Sequence, residues 1–194
     1  MERPALTVRG ALEILAPHLG DAACICSNGF MSRAVFGARD APANFYMIGS
    51  MGLASSIGLG IALARPDRRV VVLDGDGNVL MNMGTLATIA AAAPRNLLHV
   101  CFDNGAHAST GGQRTISDRV ALDAMARAAG YASVRRVETA AELAAAAPGL
   151  ASTVGPAFLL VRVALDASGA PGPRVPYTPV EMTARMRRAL GVIS

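Results

Sequence analysis

Residues Val70–Asp74 read Val-Val-Val-Leu-Asp, with no alternation between apolar and polar positions. A strand with one wet face alternates; an unbroken β-branched run is buried on both faces, as in a parallel sheet covered by helices. The runs "AACICS", ending at Ser27, "NLLHVCFDN", ending at Asn104, and "PAFLLVRVAL" are of the same kind. "NFYMIGSMG" reads as a strand entering a glycine turn and "YASVRRV" as a further strand. Between them lie helical patterns. These are Leu6–Leu19, a short helix in "GFMSRAVFG", Leu53–Ala64, "MGTLATIAAAA" ended by Pro94, "TAAELAAAAPGL" and "TPVEMTARMRRAL". Another runs from Asp118 as N-cap to Gly130 as C-cap. "GAHASTGGQRTIS" and "DASGAPGPRVP" read as loops. Strands alternating with helices predict one α/β domain across residues 1–194, a doubly wound, mostly parallel sheet with helices on both faces. In such sheets ligands bind beyond the carboxyl ends of the strands.

Composition narrows the chemistry. All 18 basic residues are arginine. Without lysine the chain has neither a Walker phosphate loop nor a pyridoxal Schiff base. The arginines are dispersed and aromatics are only 4%, which argues against a nucleic-acid groove. No apolar stretch is long enough to span a bilayer and the start lacks a signal-peptide pattern, so a soluble, cytoplasmic protein is expected. Cys24, Cys26 and Cys101 form no CxxC pair and lie in apolar runs, which points to buried packing rather than to a zinc site.

The glycine pairs fail as dinucleotide fingerprints. Gly75-x-Gly77 has Leu80, and Gly58-x-Gly60 has Leu63, where the third small residue belongs. A different pairing fits. Asp76 ends one buried strand, and Asn104, twenty-eight positions later, ends the next. The helix between them suits a right-handed crossover, which puts both residues on adjacent strand ends at the same sheet edge. A carboxylate and an amide carbonyl are oxygen ligands for a hard cation such as Mg2+, which is commonly shared with phosphate oxygens. Gly75 and Gly77 would let backbone amides approach a diphosphate. The plainer reading of Asp76 is a cap on the following helix.

The segment from Asn44 to Thr115, with "GSMG", "GDGN" and "DNGAHASTGGQ" at their spacing, resembles sulfopyruvate and phosphonopyruvate decarboxylases, which use thiamine diphosphate. The short length resembles the β subunit of the split sulfopyruvate enzyme. The resemblance implies magnesium held by Asp76, Asn104 and the backbone carbonyl of Ala106, with Gly77 and Asn78 facing the diphosphate. Asp103 departs from the usual asparagine pair. The "IGSMG" segment would cradle the aminopyrimidine: Met51 would force the cofactor into a V, beside Ser50, and the Gly49 carbonyl would accept from its 4′-amino group. Proximity then lets the cofactor's own amine take the thiazolium proton, and the resulting carbanion attacks a 2-oxo acid that loses CO2.

The family's activating glutamate comes from a pyrimidine-binding domain that this sequence lacks. Glu13, Glu138, Glu142 and Glu181 fall in predicted surface helices. The resemblance therefore implies a partner α subunit carrying that domain and glutamate, a hetero-oligomer, and a small anionic 2-oxo acid as substrate. The substrate is 3-sulfopyruvate or, alternatively, 3-phosphonopyruvate; a non-catalytic cofactor-binding regulatory module is the reading from another class. His107 is either a proton-transfer group or an ordinary loop histidine. Ser27 and Asn28 either touch the diphosphate or cap the next helix. Arg33 and Arg114 are candidates for the substrate anion. His99 reads as structural. Helix Leu53–Ala64, rich in small residues, packs against either a subunit or its own domain.

Overall fold

The computed structural model describes residues 6–165 and 172–192. Its main-sheet strands are β1 (Ala23–Cys26), β2 (Asn44–Tyr46), β3 (Val70–Gly75) and β4 (Leu97–Asp103). A two-residue hairpin, β5 (Ala106–His107) and β6 (Gln113–Arg114), follows, and β7 (Ser133–Val137) and β8 (Ala157–Arg162) complete the set. The helices are α1 (Val8–Leu15), α2 (Phe30–Ala38), α3 (Ala54–Ala64) and α4 (Asp76–Met81). They continue as α5 (Gly84–Ala92), α6 (Leu122–Ala129), α7 (Ala140–Leu150) and α8 (Pro179–Ala189).

The six-stranded sheet has the order β2-β1-β3-β4-β8-β7, and every neighbouring pair is parallel. The doubly wound expectation therefore holds. The chain passes from β1 outward to β2, then returns to place β3 on the other flank of β1. That reversal opens a crevice at the carboxyl ends of β1 and β3.

Alternate strand residues feed two apolar layers. Cys24, Cys26, Leu73, Val100 and Leu159 face α1, α2 and α7. Ile25, Val72, Leu97, Phe158 and Leu160 face α3, α5 and α6. All three cysteines are free and buried, and burial pushes the Cys24 thiol up to about 11. Helix α3 uses its small residues inward: a Cβ on Gly58 would lie 2.4 Å from Val72 Cγ2, so only glycine lets the helix seat this closely on β3. Of the two readings of this helix, packing within its own domain is the observed one.

Several expectations need correction. The first helix spans Val8–Leu15, not Leu6–Leu19, because Pro17 follows and the next turn is the 3-10 segment Ala16–His18. Asp118 does not cap α6; it pairs with Arg114 at 2.9 Å, and the N-cap is Ala121. Gly130 does close that helix, at φ 105. The loop after Asn104 contains the β5–β6 hairpin, closed by Gly112 N–H to His107 carbonyl at 3.0 Å. Asp76, Gly77 and Asn78 of the GDGN segment open a short helix, α4, with Gly75 as its N-cap. Part of the loop expected over residues 166–176 lies outside the described residues. No described helix is long and apolar enough to cross a membrane.

Candidate functional site

A cavity of about 1020 Å³ opens at the carboxyl ends of β1, β3 and β4 and extends between α1 and α2. The parallel register aligns Gly75 of β3 with Phe102 of β4, so the residues that follow each strand emerge side by side. Asp76, Asn78, Asn104, Ala106 and His107 line the cavity, with Ser27 and Asn28 from the end of β1. The expected juxtaposition of Asp76 and Asn104 is thus present.

Asp76 is only 2% exposed. Its Oδ2 accepts from Thr115 Oγ1 at 2.5 Å. Burial foremost, then the negative charge of Asp103, raises its proton affinity, while the Thr115 bond opposes them. Asp76 is the first residue of α4 rather than its cap; the N-cap is Gly75, with no side-chain capping bond. Asn104 Oδ1 accepts the Ala106 N–H at 2.9 Å, which folds the chain into a tight turn.

Asp103, the residue that departs from the usual pair, is turned the other way. Its Oδ1 accepts from Ser117 Oγ at 2.7 Å and from Gly105 N–H at 3.1 Å. Its Oδ2 pairs with Arg162 Nη1 at 2.5 Å. Thr115, Ser117 and Arg162 carry no motif of their own, and none of the three was expected at the site. Thr115 and Ser117 had one signal, hydroxyls closely following "GGQR"; Arg162 had none.

Gly77 is needed for a steric reason. A Cβ there would meet His107 Cε1 and Nδ1 at 2.7 Å and Met51 Cε at 3.1 Å. Gly75 is different: the nearest atoms to a Cβ would be 3.9 and 4.0 Å away, so its position is not crowded. Met51 reaches the cavity, but Gly49 and Ser50 are exposed and do not line it; Ser50 has φ 53. Asn78 lines the cavity and spends its carbonyl on the Gly52 N–H at 3.0 Å.

Among the described residues that line the cavity, the buried atoms Ser27 Oγ and Asn28 Oδ1 at the end of β1 lack partners, as does Arg39 Nη1 behind α2. Neither Ser27 nor Asn28 caps α2, whose N-cap Gly29 has no side-chain capping bond. Unsatisfied buried polar atoms are uncommon, and a polar ligand would satisfy them. Together with one carboxylate and one amide carbonyl across the cavity, Ser27 and Asn28 form a donor set suited to a hydrated cation carrying a phosphorylated group.

The other candidates are placed as follows. Arg33 lines the cavity and donates through Nε to the Gly172 carbonyl at 3.0 Å. Arg114 is exposed and paired with Asp118. Glu142 and Glu181 serve capping boxes of α7 and α8, and Glu138 pairs with Arg136. Glu13 lines the cavity from α1, beside Val8 and Arg9.

A doubly wound sheet whose switch-point crevice gathers an aspartate after one strand and an asparagine after the next defines a cofactor-binding α/β domain. The chain belongs to the thiamine pyrophosphate enzymes: the profile described as "Thiamine pyrophosphate enzyme, C-terminal TPP binding domain" matches residues 26–161. The sulfopyruvate decarboxylase subunit beta of Methanothermobacter thermautotrophicus is 51% identical over 125 residues, 64% of this chain and 67% of that one. Phosphonopyruvate decarboxylase of Streptomyces viridochromogenes is 44% identical over 181 residues, 91% of this chain. The chain spans only 44% of that relative's length. The crystal structure of benzoylformate decarboxylase from Polynucleobacter necessarius superposes with a TM-score of 0.68 at 20% identity, covering 85% of this chain and 34% of that one. That last likeness is one of fold.

Proposed function

We propose that this chain is the diphosphate-binding half of a thiamine-diphosphate- and Mg2+-dependent decarboxylase that converts 3-sulfopyruvate to sulfoacetaldehyde and CO2. The observation that carries the reading is the joint exposure of Asp76, Asn104, Ser27 and Asn28 to one cavity, with Ser27 Oγ and Asn28 Oδ1 buried and unpartnered. Asp76, Asn104 and the Ala106 carbonyl would hold the cation. Ser27, Asn28, Gly77 and Asn78 would face the diphosphate. The bound cofactor supplies an electron sink for the pair released when the carboxylate leaves. Met51 and His107 stand over Gly77 and would fix where the rings of the cofactor lie. His107 would hold or move a proton at the cavity mouth.

The partner is an α subunit bearing the pyrimidine-binding domain and the activating glutamate. Supporting it, the relative of comparable size is named as a subunit beta. Supporting it too, Ile48, in the bend before Met51, is 67% exposed, and Met81, at the end of α4 beside Gly52, is 61% exposed. Large exposed apolar groups clustered beside a site mark interaction surfaces.

The test is direct. Calorimetry should detect Mg2+-dependent binding of thiamine diphosphate to the wild-type chain with its partner, and none to Asp76→Ala. Turnover of 3-sulfopyruvate should need both subunits. A second reading, 3-phosphonopyruvate to phosphonoacetaldehyde, is favoured by the longer match to the Streptomyces enzyme. Comparing kcat/KM for the two acids decides between them. Cofactor binding without turnover of either acid would leave a regulatory binding module.

A further inference from the structure

We propose that Arg162 is a positioning residue that withholds the Asp103 carboxylate from the cation site, so that the site offers one free negative charge and is completed only by the diphosphate. The inference rests on the proposed cofactor reading and concerns how metal and cofactor loading are coupled.

Two carboxylates meet here, both buried. Asp103, like Asp76, is 2% exposed. Thr115 and Ser117 stand between them, with hydroxyl oxygens 3.1 Å apart, one donating to each acid. If both acids faced the cavity, the site would carry two negative charges and would take a divalent cation unaided, since carboxylate count sets affinity for hard cations. Asp103 does not line the cavity, whereas Asn104 beside it does.

The strand register accounts for that difference. Asp103 of β4 is the direct parallel partner of Arg162 of β8, at the last position of both strands. The guanidinium therefore reaches the carboxylate at the sheet edge, with Nη1 on Oδ2 at 2.5 Å. Oδ1 is occupied by Ser117 and by the Gly105 N–H. Each oxygen of Asp103 is thus held, and its charge is matched by a cation that belongs to the protein. Among the described residues Asp76 has no such cationic partner: its side-chain donors are the neutral hydroxyls of Thr115 and Ser117. The charge left over for a metal is that of Asp76 alone, and a weakly charged site retains Mg2+ only when phosphate oxygens join it.

The probe is Mn2+, followed by electron paramagnetic resonance on the full chain with and without thiamine diphosphate. Wild type should bind Mn2+ weakly alone and more tightly with the cofactor. Arg162→Leu frees Asp103 and should bind Mn2+ without cofactor about tenfold more tightly, the scale of effect seen when groups behind a metal site are changed. Structural damage would weaken binding, so the sign separates a positioning role from a structural one. Arg162→Lys should restore wild-type behaviour, as should Asp103→Asn combined with Arg162→Leu, which removes both charges. If Arg162→Leu does not fold, Arg162→Gln gives the same reading with a hydrogen bond retained. Unchanged Mn2+ affinity in the folded Arg162 variant, or tight binding persisting in the double variant, overturns the proposal. Asp76→Ala separates the two levels. If it abolishes cofactor-dependent Mn2+ binding while Arg162 variants have no effect, this inference alone fails. If it leaves binding intact, the proposed function fails with it.

Discussion

Asn78 Oδ1 accepts the Gly52 backbone N–H at 3.0 Å, across twenty-six positions of sequence. One helical turn on, Asn82 Nδ2 donates to the Gly52 carbonyl at 3.1 Å. The amides of Asn78 in α4 and of Asn82, its C-cap, therefore hold both polar groups of a single glycine, and that glycine follows Met51. The turn that presents Met51 is not free to move independently of the helix that presents Asp76.

Gly52 has φ +90, and a Cβ would lie 3.1–3.2 Å from Asn82 Cβ, Asn78 O and Met81 Cβ. Gly52→Ala should destabilise the chain by about 1–3 kcal/mol through backbone strain. It should also weaken thiamine diphosphate binding by displacing Met51. Asn78→Ala, which leaves a buried N–H unpaired, should cost about 1–3 kcal/mol as well. Urea denaturation and cofactor titration check both. A Gly52→Ala protein with wild-type stability would show that the clamp tolerates a side chain.

Gly77 lies within α4, where alanine is intrinsically preferred by up to about 1 kcal/mol. Against that gain stands the His107 ring, 2.7 Å from a Cβ. Gly77→Ala should therefore destabilise the wild type and displace His107, yet be neutral or stabilising in a His107→Ala background. A double-mutant cycle measures the reversal. The same cost in both backgrounds would rule out the ring as the reason for glycine.

These contacts explain what could be read in advance. β3 and β4 were legible because an unbroken apolar run has few alternatives, and adjacency of Asp76 and Asn104 followed from one helix between two parallel strands. Helix α4 was not legible: Asp76 offered only a cap for the helix that follows, whereas tertiary bonds from Asn78 and Asn82 to Gly52 help hold six residues in a helix of their own. The β5–β6 hairpin has two residues per strand, too few for a period of two to appear. Asp118 looked like a cap because its type suits one, but Arg114 at 2.9 Å takes its carboxylate. Arg162 could not be singled out among 18 arginines until the register of β4 and β8 set it opposite Asp103.

Asp76 should make the metal-free chain sensitive to pH in a defined direction. Burial and Asp103 raise its folded-state pKa above the ordinary carboxylate value. The folded state thus holds the proton more tightly than the unfolded state does. Stability from this group is fully present below the ordinary value and is lost as pH rises through the raised one. At neutral pH the buried anion is a cost, and Asp76→Asn should stabilise the metal-free chain by about 1 kcal/mol. The gain should shrink as pH falls toward the ordinary carboxylate range. Melting curves at neutral and acid pH would show it; an Asn variant less stable than wild type at neutral pH contradicts the reading.

A third buried acid, Asp74, lies in β3 two residues before Asp76 and does not face the cavity. Its Oδ1 accepts the Gly75 N–H at 3.1 Å, and its Oδ2 lies 3.3 Å from His99 Nε2. The other ring nitrogen of His99 is 3.3 Å from the Tyr131 hydroxyl, and its ring meets Phe158 edge-on with centroids 5.1 Å apart. His99 is therefore structural, as its place in a buried strand implied. Removing it leaves Asp74 Oδ2 in the core without its hydrogen-bond partner, and a buried polar group stripped of its partner costs about 1–3 kcal/mol. His99→Leu should lose that much, and Asp74→Asn in the same chain should recover part of it by replacing the unpartnered carboxyl group. Tyr131→Phe removes one neutral hydrogen bond and should cost about 1 kcal/mol. The order of the three variants in urea midpoint tests the arrangement, since a Tyr131→Phe loss as large as that of His99→Leu would mean that the network is held from the tyrosine end.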